Sequence, residues 1–264
     1  MLQHIAVPPA LVQTTYNFQT SAIRQHWQHR NVASPGSICE ISFRIVNLRA
    51  ALRNGEVTDP QVIRETALEI DGDLETWRAG VPRNWRYATI DANEAPVGTC
   101  FDGKRHVYPN LWIVDVWNNW RTLRILVNQI IVQNELRSSV PDNAQKSIAL
   151  SIIHQFSTEL CISTASFTGT PRRSLQSAQV PVHNSTFFTG ILSLIQPLYV
   201  VSLEELNARS VRSFAVEQLR RIDASMGIRQ AGLLAETVSK RVNESPGDFV
   251  SVPSHLMIPL IPSG

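Results

Sequence analysis

Between Val107 and Leu126 the chain sets Trp112, Trp117 and Trp120 among Asp115, Asn118, Asn119, Arg121 and Arg124, in a stretch too apolar to lie on a surface. Pro109 is pre-organised for a first helical position, and the apolar period predicts one long helix from there to about Arg137. On that helix Trp117, Arg121, Arg124 and Asn128 follow at spacings of four, three and four, so they share a face, while Leu123, Val127, Ile130 and Ile131 take another. Aromatic rings beside charges in a buried helix require a satisfied polar network or a bound partner, because an unpaired ion in low dielectric is costly.

The rest of the chain supports a helical core around this segment. Ile41, Ile45, Leu48 and Leu52 recur at helical spacing between Ile38 and Arg53, and Asn54-Gly55 supplies a stop. Asp59-Pro60 then reads as a capping residue followed by proline in the first turn of a helix reaching Trp77. From Gly80 to Lys104 glycine and proline punctuate a segment without period, which predicts a long loop packed through Trp85, Tyr87 and Phe101. Pro141-Asp142 begins a helix to Thr164, with Ile148, Ile152, Phe156 and Leu160 as its apolar stripe. Ser166 to His183 reads as a mobile loop rich in Ser, Gln, Pro and Arg.

Phe187 to Val201 is apolar around its whole circumference, which predicts a fully buried helix that Pro197 kinks or divides. Ser202-Leu203-Glu204-Glu205 matches a capping box for a short further helix. Helices from Val211 to Met226, stopped by Gly227, and from Arg229 to Val242 follow. Strand alternation is nowhere sustained. The expectation is all-α: an irregular multi-helix bundle forming a single domain, with residues 1–37 as an N-terminal extension, 38–248 as the helical domain and 249–264 as an apolar tail.

Charge and cysteine usage narrow the function classes. Lys plus Arg at 24 against Asp plus Glu at 22 leaves a net charge of +2, which argues against nucleic-acid binding by this chain alone. Cys39, Cys100 and Cys161 form no C-x-x-C pair, so neither a disulfide framework nor a thiolate metal site is signalled. No secretory leader and no apolar run of membrane-spanning length is expected, which points to a nuclear or cytoplasmic protein without a membrane partner.

Five separated blocks then suggest a family. They are Phe43 to Ala51; Asp59-Pro60 with Ala67 to Trp77; Val81 to Tyr87; Val107 to Leu126; and the pair Leu219 to Ile222 with Met226 to Ala231. In content, order and spacing these blocks resemble the regulatory (effector) region of fungal zinc-cluster transcription factors, over residues 38 to 242. The resemblance implies an all-helical regulatory domain. The six-cysteine basic module with which that family binds DNA has no counterpart in this sequence, and the helices that normally precede the Arg44 block have none in residues 1–37. Either a fragment or a free-standing protein that lost DNA binding is expected.

Several residues invite chemical readings. A ligand site would use Trp112, Trp117, Arg121, Arg124 and Tyr199, with an arginine gripping a carbonyl or anionic group against Trp117. The competing reading is an internal Glu-Arg-Asn network that pins helix register, favoured because these residues belong to the pattern of the resemblance. His106 and Tyr108, just before the long helix, are candidate acid or base groups together with Arg121, against a plainer role as loop anchors. Glu69, Asp71, Asp73 and Glu75 form two pairs that point apart and read as a solvated face. His26 and His29 lack a third ligand, and Gly98 to Lys104 resembles a phosphate loop without the serine or threonine that would hold magnesium, so no metal or cofactor is expected. The expected partner is a small apolar or aromatic metabolite, and the apolar tail after Phe249 must be covered either by this chain or by a second copy of it. The leading expectation is a regulatory domain without DNA binding that senses such a metabolite or pairs with a regulator. The alternative is a cofactor-independent cyclase or isomerase of fungal secondary metabolism that re-uses the helical scaffold.

Overall fold

A computed structural model of the chain describes residues 35–92, 98–168 and 184–244. The histidines at 26 and 29, most of the loop expected from Ser166 to His183 and the apolar tail after Phe249 lie outside the described residues. Eight α-helices, one 3-10 turn and one two-stranded sheet account for the elements described, so the all-α expectation holds. The helices are α1 (Pro35–Arg53), α2 (Pro60–Ala79), α3 (Leu111–Arg137), α4 (Asn143–Ser163), α5 (Ala165–Thr168), α6 (Asn184–Leu203), α7 (Arg209–Met226) and α8 (Arg229–Glu244). The described residues fall into two compact units, 35–84 with 123–153 and 85–122 with 154–244, so α3 and α4 each contribute to both.

In the first unit, α1 packs on α2. Asp59 caps α2 as its sequence predicts: one carboxylate oxygen accepts the Gln61 N–H at 2.8 Å, and Pro60 takes the first turn. The helical period of α2 then buries Ile63, Ala67, Ile70, Leu74 and Trp77. From α1 come Ile38, Ile41, Ile45 and Leu48, and from α3 Ile125, Leu126, Val127 and Ile131. Burial of this kind is the main favourable term in folding. On α4 the buried stripe is Ala149, Ile153, Phe156 and Leu160, whereas Ile148 is 54% exposed. The predicted stripe of strict fours fails at its first member because a repeat of four overshoots a 3.6-residue turn and drifts around the helix.

In the second unit, α6 packs on α7 and α7 on α8, with α5 against α6. At the α5–α6 contact the Phe167 ring lies where a side chain on Gly190 would be, so the close approach depends on that glycine. Gly227, at φ +70°, ends α7 in the left-handed conformation that glycine adopts without strain. Helix α6 runs unbroken through Pro197 and extends to Leu203, which corrects the predicted capping box. Ser202 bonds back to the Tyr199 carbonyl at 2.8 Å inside the helix, and Glu204 instead accepts the Leu206 N–H at 3.1 Å in the turn beyond. Leu192, expected to be buried, is 43% exposed, while Leu194, Ile195, Leu198 and Tyr199 are buried.

The predicted long loop holds more structure than its composition indicates. A 3-10 turn (Arg83–Trp85) precedes an antiparallel hairpin of β1 (Ala88–Asp91) and β2 (Lys104–Val107), paired from Ala88 with Val107 to Asp91 with Lys104. All of β1 is exposed, so the strand has no apolar face for a period-2 pattern to mark. Its partner buries only His106. Downstream, Gly98 is tied to α7, its carbonyl accepting from Arg221 Nη1 at 2.7 Å and Gln218 Nε2 at 2.9 Å.

Candidate functional site

Arg121, without solvent exposure, organises the second unit's polar centre. Its Nε donates to Glu159 of α4 at 3.0 Å, and Nη1 donates both to the Tyr108 hydroxyl at 2.8 Å and to Asn118 Oδ1 at 3.0 Å. Above the guanidinium plane lies the Tyr87 ring, 4.7 Å from the Arg121 Cζ, and its hydroxyl donates to Glu159 at 3.1 Å. The rings of Tyr108, Trp117 and His106 surround Tyr87 at 4.9, 5.1 and 4.6 Å.

Local sequence explains how these groups arrive together. Asn118 and Arg121 are three apart on α3, and Trp117 lies one turn before Arg121, its indole N–H fixed by the Trp85 carbonyl at 2.9 Å. His106 and Tyr108 leave the hairpin just before α3 begins. The predicted helix start moves from Pro109 to Leu111, because Asn110 Oδ1 accepts the Ile113 N–H at 3.0 Å and so caps the first turn. His106 Nδ1 is 3.0 Å from the Thr89 hydroxyl across the hairpin, and Ser166 donates to the His106 carbonyl at 3.0 Å.

Electrostatics in this cluster follow from burial opposed by one ion pair. Burial alone would weaken the Arg121 charge, but Tyr108, Tyr87 and Glu159 outweigh it and raise the guanidinium pKa. Burial would raise Glu159 as well, yet the Arg121 charge and the bonds from Gln155, Arg121 and Tyr87 hold its carboxyl below the usual range. Burial, aided by the neighbouring Arg121 charge, pushes His106 down to about 4, so it is neutral near pH 7. Burial pushes Tyr108 up to about 12, so the phenol keeps its proton. The cluster thus carries one cation, one anion and three neutral polar rings. Two of its atoms, Arg121 Nη2 and Asn118 Nδ2, are buried without a hydrogen-bond partner, while the His106 ring also meets the Glu159 backbone.

The remaining sequence candidates go elsewhere. Arg124 belongs to the first unit, where it pairs with Asp71 at 3.0 Å and with Glu75, and Asn128 donates to Asp71 at 2.7 Å. Burial raises the Asp71 carboxyl against the pull of Arg124. Asp71 and Glu75 therefore grip an arginine instead of forming a solvated face, whereas Glu69 and Asp73, with side chains 70% and 45% exposed, keep the solvated character expected of them and pair with Arg44 at the surface. Trp112 is 44% exposed, packed edge-on against Trp85 at 4.9 Å, so the apolar character of its helix did not bury it. Tyr199 is buried on α6, with Arg241 as its charged neighbour.

Sequence reasoning brought Trp117, Arg121, His106 and Tyr108 to one place and missed Glu159, Asn118 and the role of Tyr87. Glu159 is 38 residues from Arg121, and nothing in its local pattern marks it as the counter-ion. The matched i,i+4 acidic pairs were the one signal available for the arginine clamps on α2.

Among the described residues no group of three or more His, Cys, Asp or Glu side chains is placed to hold a metal ion. No helix among them is long and apolar enough to cross a membrane. No family model matches the chain, and neither a curated protein nor a solved structure does.

Proposed function

We propose that the chain is a regulatory-type helical domain, of the kind its resemblance to fungal zinc-cluster regulators implies, which senses a small, largely apolar metabolite at the Arg121 cluster. The observation that carries this reading is the pair of buried unpartnered donors, Arg121 Nη2 and Asn118 Nδ2, set among the aromatic rings of Tyr87, Tyr108 and Trp117. A buried polar group left unbonded costs about 1–3 kcal/mol, so a ligand that supplies partners recovers that cost on binding. Aromatic walls with a few convergent polar groups are the common make-up of small-molecule sites. Arg124, paired with two carboxylates, is assigned to holding α2 against α3 and leaves the ligand reading. Trp112 and Tyr199 remain outside this proposed site.

Native mass spectrometry of the purified chain, after incubation with a small-molecule extract of its host, tests the proposal. The expected result is a bound metabolite mass that disappears in Arg121→Met. A chain that stays ligand-free across extracts refutes it.

The enzyme reading keeps one specific support: His106 is neutral and lies two residues from the protonated Tyr108, a pairing suited to moving a proton in a cofactor-independent isomerisation. It predicts that the retained compound is converted over time by the unaltered chain and left unchanged by His106→Gln. A compound recovered intact from both refutes catalysis and leaves the sensing reading standing.

A further inference from the structure

Resting on that reading, we infer that the ligand of the Arg121 cluster is a neutral compound presenting carbonyl-type oxygens, and not a carboxylate or phosphate. Arginine in a ligand site usually suggests an anion, but here the charge is already met. Glu159 lies 3.0 Å from Arg121 Nε and also receives the Tyr87 hydroxyl, so it is fixed as the resident counter-ion. A second anion would enter a buried site whose formal charges already cancel, next to a histidine that carries no charge to offer it. Desolvating that anion would go uncompensated.

What remains unsatisfied is hydrogen-bonding capacity, not charge. Arg121 Nη2 and Asn118 Nδ2 are N–H donors with no acceptor. They flank the 3.0 Å bond from Arg121 Nη1 to Asn118 Oδ1, each one nitrogen-carbon step beyond an atom of it, which keeps them within about 8 Å of one another. Oxygens on one small molecule can reach both.

Three probes separate the possibilities by equilibrium dialysis near pH 7.5: coumarin, a neutral planar lactone; coumarin-3-carboxylate, its anionic relative; and naphthalene, which has no acceptor. The unaltered chain should retain coumarin saturably, and the carboxylate and naphthalene about tenfold more weakly. Glu159→Gln removes the resident anion with little change of shape, so it should reverse the order and favour coumarin-3-carboxylate by about tenfold. Tighter retention of the carboxylate than of coumarin by the unaltered chain would overturn the neutral-ligand inference while leaving the binding site in place. Equal retention of naphthalene overturns the role of the donors. No saturable retention of any probe by the unaltered chain sinks the site reading and this inference with it. Should Glu159→Gln fail to fold, the order measured on the unaltered chain decides alone.

Discussion

Glu135→Gln isolates the strongest buried ion pair of the first unit. Its side chain has no exposed surface, yet four donors converge on the carboxylate. Arg64 Nε and Nη2 reach Oε1 and Oε2 at 2.7 Å each, the Asp142 N–H reaches Oε2 at 2.7 Å, and Asn134 Nδ2 reaches Oε1 at 3.2 Å. One side chain thereby ties α2 and the end of α3 to the turn that starts α4. The bond from Arg64 is the largest cause that lowers the Glu135 pKa from 4.5 to about 2. At 1.36 kcal/mol per pH unit a difference of that size amounts to about 3 kcal/mol at neutral pH. Arg64, 18% exposed in its side chain, shares the pair with solvent, and screening brings the expected loss to about 2 kcal/mol. Glutamine also turns an amide N–H₂ toward a donor, adding to the cost.

The sign of the pH dependence is fixed because the folded pKa lies below the unfolded one. The contribution of Glu135 is fully present above about pH 4.5 and is lost as pH falls through about 2. Urea unfolding followed by far-UV circular dichroism should show the glutamine variant less stable by about 2 kcal/mol near pH 7, with a gap near pH 3 under half as large. An equal gap at both pH values would show that the loss comes from packing and not from the charged carboxylate. No loss at pH 7 would refute the pairing itself.

Asp115→Asn should act in the opposite direction. Ser193 Oγ lies 2.5 Å from an Asp115 oxygen and 2.7 Å from the Gly190 carbonyl, and its single proton serves only one of these acceptors, so a protonated Asp115 satisfies both contacts. Burial raises Asp115 to about 6, so its stabilising effect is complete below about pH 3.8 and lost as pH rises through about 6; asparagine should therefore stabilise the protein by up to about 3 kcal/mol at pH 8, and a less stable variant there in thermal unfolding refutes the reasoning. Gly98→Ala should cost about 1–2 kcal/mol and speed cleavage of the adjoining loop in limited proteolysis, because Gly98 has φ +78° and an added Cβ would collide with the Arg221 guanidinium that holds its carbonyl; unchanged cleavage would refute this.

The sequence disclosed those parts of the fold that depend on neighbours along the chain. Asp59-Pro60 and Gly227 mark helix ends through backbone chemistry confined to one turn, and both act as read. The spacing that buries Ile63, Ala67, Ile70, Leu74 and Trp77 is likewise local. Ala88–Asp91 escaped because a fully exposed strand has no period, and Trp112 because apolar character sets a preference that tertiary neighbours can leave unmet. Ser202 illustrates a third limit: the capping pattern is present, but the preceding helix continues through it, and the serine bonds backward within its own turn.

The candidate site was legible to the same depth. Spacing put Trp117, Arg121 and Arg124 on one helix face, and a single residue list could not say that two arginines one turn apart have different counter-ions. Arg124 meets Asp71 and Glu75, two carboxylates for one cation, so its charge is over-compensated and its task is to hold α2 against α3. Arg121 meets the single carboxylate of Glu159 and two phenols, and retains an N–H without an acceptor. The two arginines therefore differ in the number of carboxylates that meet them, one against two, contributed by helices far away in sequence. That count is also why the proposed ligand is neutral: the fold has already supplied the charge, and what it leaves to be supplied is an acceptor.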